Sequence, residues 1–210
     1  MSAQPDGNAE ALPEHVSNLT GRQTKNPRRP CHLRGGRLEE LAAIVSGALE
    51  DAGITATLSV GAAVTIYADN EYLSGDLDFV TNARIDAIEK VLVPLGFVRR
   101  SGARHLEHPE TDLFVEFPPG PLAFGETTIG DEEGTLLQTA HGPLRIVTPT
   151  QLVMDRLAAY SQWHDGQSYD QAVMVVRRQP VEWSQLSAWA QREGVESDVV
   201  DALRRRASGG

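Results

Sequence analysis

The chain has 210 residues, a single cysteine and a formal net charge of −10, enough for one domain with a real core or one domain plus a small helical appendage, but not for two full-sized domains. Cys31 alone allows no internal disulfide and no paired-cysteine metal spacing, no apolar run reaches the roughly 18 residues of a membrane span, and the first residues lack a basic-then-apolar leader, which together suggest a soluble, cytoplasmic protein. Residues 1–37 carry six basic side chains against three acidic ones, so the remainder holds −13; a body that acidic argues against long duplex DNA as a partner, while a local basic patch still suits one RNA end or a nucleotide.

In chain order, residues 1–37 are rich in Pro, Gly, Asn and Gln without apolar periodicity and read as a disordered extension. "RLEELAAIVSGALEDAG" places Leu38, Leu41, Ala42, Val45 and Leu49 at helical spacing and stops at Gly53. "TATLSV" (55–60) is a short strand, "GAAVTIYAD" (61–69) a small-residue helix, "DLDFV" the next strand, and "ARIDAIEKVLVPLG" (83–96) an amphipathic helix closed by Pro94 and Gly96. The segments "FVRRS", "RHLEH", "TDLFVEF", "TTIG", "GTLLQTA" and "GPLRIVT" are β-rich and punctuated by Gly or Pro. After Pro149 four helical stretches follow: "TQLVMDRLAAYSQW", "SYDQAVMVVRRQ", "EWSQLSAWAQREG" and "ESDVVDALRRRA". The pattern predicts an α+β domain over 38–148 and a C-terminal helical region over 149–210.

The strand "DLDFV" carries the first chemical signal. Side chains two apart on a strand share a face, about 6.6 Å apart, so Asp76 and Asp78 converge either on one divalent ion or, as a plain alternative, cap a turn at the strand's edge. Two like charges that close need a cation or a proton between them, and Mg²⁺, with Mn²⁺ as a substitute, suits such a pair. Upstream, Gly61 and Ala62 stand at a strand-to-helix junction where backbone N–H groups and the helix N-terminus favour a phosphate. Downstream, Glu116 interrupts the apolar run Leu113, Phe114, Val115, Phe117, and a glutamate there calls for a cation. Ser74, before Gly75, reads as a turn residue at the edge of this nucleotide-binding region rather than as a nucleophile. The spacing of His105 and His108 argues against zinc. Trp163, Trp183 and Trp189 share helical spacing with Leu186 and Ala190 and read as core, with a base-stacking surface as the alternative.

"SVGAAVTIYADNEYLSGDLDFV" followed by "LFVEF" resembles the nucleotidyltransferase fold of the DNA polymerase beta superfamily, and within it the bacterial stand-alone AbiEii-like and minimal nucleotidyltransferases of toxin–antitoxin systems. The resemblance implies a polymerase-beta-like mixed sheet with flanking helices, followed by a helical part. It implies Asp76, Asp78 and Glu116 as metal ligands, Glu116 also as candidate general base, and a phosphate contact from Arg156 in "TPTQLVMDRLAAYSQWHDGQSYDQA". Asp165 takes the acidic position beyond it in preference to Asp170. The bland alternative for Arg156 is an Asp155/Arg156 pair on a solvated helix face. Ala62 departs from the Gly or Ser usual at its position and loses a hydroxyl contact. The activity implied is Mg²⁺-dependent transfer of a nucleoside monophosphate from an NTP to a hydroxyl of an RNA, a protein or a small molecule, with a partner antitoxin. The alternatives are a nucleotide-binding module without turnover and a protein-interaction partner in a toxin–antitoxin pair.

Overall fold

The computed structural model describes residues 38–100, 102–130 and 134–209; the extension expected over 1–37, with Cys31, lies outside them. Helix α1 (Leu38–Asp51) buries Leu41, Val45 and Leu49, the stripe its spacing predicts. After it come β1 (Thr57–Ser59), α2 (Val60–Tyr67), β2 (Asp76–Val80) and α3 (Ile85–Leu92), the last continued by a 3₁₀ turn at Val93–Leu95. Strands β3 (Val98–Arg99), β4 (His105–Glu107), β5 (Phe114–Glu116), β6 (Leu122–Phe124), β7 (Thr127–Ile129), β8 (Thr135–Thr139) and β9 (Gly142–Ile146) precede four helices: α4 (Pro149–Trp163), α5 (Gly166–Val176), α6 (Trp183–Arg192) and α7 (Ser197–Ala207). Among the described residues, no helix is long and apolar enough to cross a membrane.

Seven strands form one mixed sheet in the order β3-β4-β5-β2-β1-β9-β8. The β2–β5 and β1–β9 pairs are parallel and the rest antiparallel. In the central strands Leu58 stands opposite Phe79, and Leu77 opposite Val115. All four are buried, as the period-2 pattern requires, and each large side chain so buried contributes about 1.5–3 kcal/mol. Helix α1 lies along β9, where the Ser46 hydroxyl accepts from the Arg145 N–H at 2.8 Å and Arg145 is ion-paired with Glu50. The fold is α+β: a mixed sheet with flanking helices, followed by a helical part.

The entry to α4 is fixed locally. Thr148 accepts from the Gln151 N–H at 3.2 Å while Gln151 accepts from the Thr148 N–H at 2.8 Å, with Pro149 at the first helical position; this reciprocal cap satisfies donors that the helix itself cannot.

Strand β6, which the sequence pattern did not predict, pairs with β7 in a separate hairpin. Its turn at Gly125 has φ +66° and leaves no room for a side chain beside the Glu193 carboxylate. Glu193 reaches from the end of α6 to accept from the Glu126 N–H at 2.8 Å and the Thr127 hydroxyl at 2.5 Å. Trp189 is fully buried and donates its indole N–H to the Phe124 carbonyl at 3.1 Å. The core expectation thus fits Trp189, but Trp163 corrects it. Trp163 is 77% exposed, because it ends α4 just before the chain turns away through His164 at φ +53°.

Candidate active site

Register decides the site. Asp78 on β2 is the partner of Glu116 on β5, about one strand spacing, 4.8 Å, away. Since Leu77 and Val115 point into the core, Asp76, Asp78 and Glu116 share the opposite, half-buried face. On the other side of Asp78 stands Ser59 of β1, whose hydroxyl donates to the Asp78 carbonyl at 3.4 Å.

The chain passes from β1 into α2 without a loop, and Val60 makes that turn at φ +52°. A β-branched residue in the left-handed region is strained by about 1–3 kcal/mol, the kind of cost that the surrounding structure must overrule. The turn brings Gly61 beneath Ser74: a side chain added at Gly61 would come within 2.7 Å of the Ser74 hydroxyl oxygen. Ser74 in turn donates to Asp76 Oδ1 at 2.8 Å, and its N–H donates to the Thr65 hydroxyl at 3.0 Å. Sequence reasoning missed Thr65, whose own hydroxyl donates to the Gly61 carbonyl at 3.2 Å. Ala62 is fully buried in the core, so a hydroxyl at that position would face apolar neighbours rather than a ligand.

Arg156 is paired with Asp155 as the bland alternative foresaw, but not on a solvated face. The two side chains are only 11% and 22% exposed. Arg156 Nε and Nη2 donate to Asp155 Oδ2 at 2.8 and 2.5 Å, and Nη1 donates to Gln171 Oε1 on α5 at 3.0 Å. Burial pushes the Asp155 carboxyl up, against the pull of Arg156. The signal was available: Leu152, Val153, Met154, Leu157 and Ala158 are all buried on α4, leaving little of that stretch to solvent.

Electrostatics joins these parts. Burial first, then the charges of Asp76 and Glu116, push the Asp78 carboxyl up to about 6, with Asp155 adding to the effect and Arg156 opposing it. Asp165 is exposed and caps α5, accepting from the Gln167 N–H at 3.1 Å and the Ser168 hydroxyl at 2.6 Å. Those hydrogen bonds, Ser168 foremost, hold its carboxyl below the usual range, with a smaller pull from Arg156. Asp170 is exposed on α5.

The donor set of hard carboxylate oxygens, crowded enough to raise Asp78, fits a divalent cation such as Mg²⁺. Among the described residues, no three His, Cys, Asp or Glu side chains are gathered closely enough to hold one ion together; Asp76, Asp78 and Glu116 share a face without converging on a point. Concavities of about 750 Å³ along α7 and about 450 Å³ beside His108 do not include them. The carboxylates therefore lie outside both. His108 is buried and structural: its Nδ1 accepts from the Glu110 N–H at 3.2 Å, which leaves Nε2 to donate to the Leu95 carbonyl at 3.2 Å.

No family model and no curated protein matches the chain. Among solved structures, an antigenic nucleotidyltransferase-like protein from Paracoccidioides brasiliensis superposes with a TM-score of 0.54 at 15% identity, over 79% of this chain and 92% of its own. The fold is that of a nucleotidyltransferase. The antibiotic-resistance factor ANT(2'')-Ia is also similar. Its solution structure gives a TM-score of 0.45 at 13% identity over 82% of this chain and 91% of its own. Its crystal structure with adenylyl-2''-tobramycin gives 0.43 at 14% identity over 77% and 94%.

Proposed function

We propose that the chain transfers a nucleoside monophosphate from a nucleoside triphosphate to an acceptor hydroxyl. The observation that carries this reading is the register pairing of Asp78 with Glu116, with Asp76 on the same face, in a nucleotidyltransferase fold. Three carboxylates on one half-buried face repel one another, and a site that keeps them suits positive charge. Asp76 and Asp78 are the residues to hold Mg²⁺, which when bound neutralises and aligns the triphosphate.

The chain's own groups divide the remaining work. Ser74 fixes the orientation of Asp76 through its hydroxyl. Arg156, held by Asp155 and Gln171, is a pre-oriented cation for phosphate oxygens, and holding it beforehand avoids the entropy of ordering it on binding. Glu116 accepts the proton of the attacking hydroxyl. The new bond joins that oxygen to the α-phosphorus, the bond from the α-phosphorus to the bridging oxygen breaks, and pyrophosphate leaves with the electron pair. Under the toxin–antitoxin resemblance the acceptor is a component of the host cell, and inducing the wild-type chain but not Asp78→Asn arrests growth.

The test uses one NTP labelled at the α-phosphorus and, separately, at the γ-phosphorus. The reading expects the α-label on the acceptor and the γ-label in pyrophosphate. A γ-label on the acceptor, or inorganic phosphate as the product, contradicts it.

A further inference from the structure

The loop that carries Ser74 is held from outside. It joins α2 to β2 over residues 68–75 and opens with Asp69 and Asn70 at φ +51° and +63°. Two successive residues in the left-handed region persist only where contacts overrule the cost. The loop's own backbone bonds stop at Glu71: the Asn70 N–H donates to the Thr65 carbonyl at 2.9 Å and the Glu71 N–H to the Ala68 carbonyl at 3.1 Å. From Tyr72 to Gly75, among the described residues, no backbone–backbone bond is made outside the sheet ladder. Ser74, with Thr65 behind it and Asp76 ahead of it, therefore takes its place from whatever fixes the loop before it.

Two side chains of the C-terminal helical part do that. Arg178 and Gln179 stand in the turn that closes α5, where both of their N–H groups donate to the carbonyl of the fully buried Val175, at 3.0 and 2.9 Å, and Pro180 ends any continuation of the helix. From that fixed turn Arg178 Nη1 pairs with Glu71 Oε2 at 2.5 Å. Gln179 Nε2 donates to the Tyr67 carbonyl at 3.0 Å and so satisfies an acceptor that the last turn of α2 leaves open. Earlier on the same helix, Gln171 accepts from Arg156.

We infer that α5 is a strut for the carboxylate face: Gln179 holds the Ser74 loop at its start and Arg178 holds it at Glu71, so that Ser74 meets Asp76 in one orientation. Their action on Asp76 passes through Ser74, which makes Arg178 and Gln179 positioning residues. An ion pair whose side chains are 37% and 41% exposed is a weak constraint, but the stretch beyond it has few bonds of its own, so losing it changes the population of the anchored loop. The hold on Ser74 stands apart from any reaction; its consequence for a cation rests on the function proposed above.

The experiment measures hydrogen exchange at the Ser74 amide by NMR, on the full chain without metal or nucleotide. Arg178→Met should speed that exchange about three-fold, the weight of a half-exposed ion pair, and Arg178→Met/Gln179→Leu about ten-fold, while the amide of the buried Leu77 on β2 keeps its wild-type rate. The charge reversal Glu71→Arg/Arg178→Glu should restore slow exchange at Ser74. Arg84→Met, which removes an exposed ion-paired arginine elsewhere, should change nothing. In a second arm, Mn²⁺ affinity followed by electron paramagnetic resonance should fall about three-fold or more in Arg178→Met/Gln179→Leu, and should fall no further when those changes are added to Ser74→Ala. Unchanged Ser74 exchange in the double variant, or an additive loss of Mn²⁺ affinity on top of Ser74→Ala, would overturn the inference. A wild-type chain that binds no Mn²⁺ yet shows the exchange response would contradict the proposed function and support the strut.

Discussion

Asp78 and Glu116 are register partners across the parallel β2–β5 pair, so two carboxylates stand one strand spacing apart on one face with Asp76 beside them. The crowded carboxylates oppose folding when no cation is present, and under the function proposed above they would serve it when one is bound. Stability and activity should therefore respond in opposite directions to the same substitution.

The pH dependence follows from Asp78. Its carboxyl is raised from the ordinary 3.8 to about 6 by burial, Asp76 and Glu116, so between those values the folded state holds a proton that the unfolded chain has released. Stability contributed by this group is thus lost as pH rises from about 4 to about 6, and the penalty persists above that range. Asp78→Asn has no such penalty. Metal-free, it should melt higher than wild type at pH 7 by about 2–6 °C, corresponding to about 1–2 kcal/mol after allowance for partial solvent screening. The gap should close by pH 4, as thermal melts at both pH values will show.

Glu116→Gln removes one of the charges that raise Asp78. The metal-free variant should melt above wild type at pH 7 by less than Asp78→Asn does, and the fall in stability with rising pH that Asp78 causes should end at a lower pH than in wild type. Turnover should fall by about a hundred-fold, the ordinary worth of a positioned general base. A variant that melts lower and turns over normally would remove Glu116 from the site.

The Asp155–Arg156 pair is asymmetric in its consequences. Arg156→Met strands a largely buried carboxylate and should cost about 2–4 kcal/mol in urea unfolding, whereas Asp155→Leu/Arg156→Met should recover most of that loss. Arg156→Lys keeps the charge but not the geometry that joins Asp155 and Gln171, and should raise KM for the nucleotide more than it lowers kcat.

Gly61→Ala tests the Ser74 anchor. The added methyl meets the Ser74 hydroxyl and displaces it from Asp76, so this variant and Ser74→Ala should share one phenotype: activity reduced about ten-fold, the equivalent of about 1.4 kcal/mol, with melting temperature nearly unchanged. Wild-type activity in Ser74→Ala would show that the Ser74–Asp76 bond does not matter.

Most of the sheet and the carboxylate face were legible, because alternation along "DLDFV" and "LFVEF" fixes which residues share a face, and motif order suggested that the two strands belong to one site. What periodicity cannot supply is register across strands far apart in sequence; the pairing of Asp78 with Glu116 depends on the whole sheet. Strand β6 was hidden by Pro118, Pro119 and Pro121 ahead of it, and its hairpin is held by Glu193, 67 residues from Glu126. A solvated Asp155/Arg156 pair was one of two readings of Arg156, because an adjacent acid and base resemble such a pair; the bond from Arg156 to Gln171 on α5 makes the pair a largely buried clamp. Trp163 read as core because spacing does not reveal that a helix ends in solvent.

The central claim is that Asp76, Asp78 and Glu116 form a cation-dependent site for nucleotidyl transfer, and the most direct test is pyrophosphate release measured against Mg²⁺ concentration for wild type and Asp78→Asn, with circular dichroism confirming that both are folded. The account predicts saturable, Mg²⁺-dependent release by wild type and a loss of at least about a hundred-fold in the variant at every Mg²⁺ concentration. Equal release by the two proteins at matched Mg²⁺, or release from wild type that is indifferent to the metal, would contradict it.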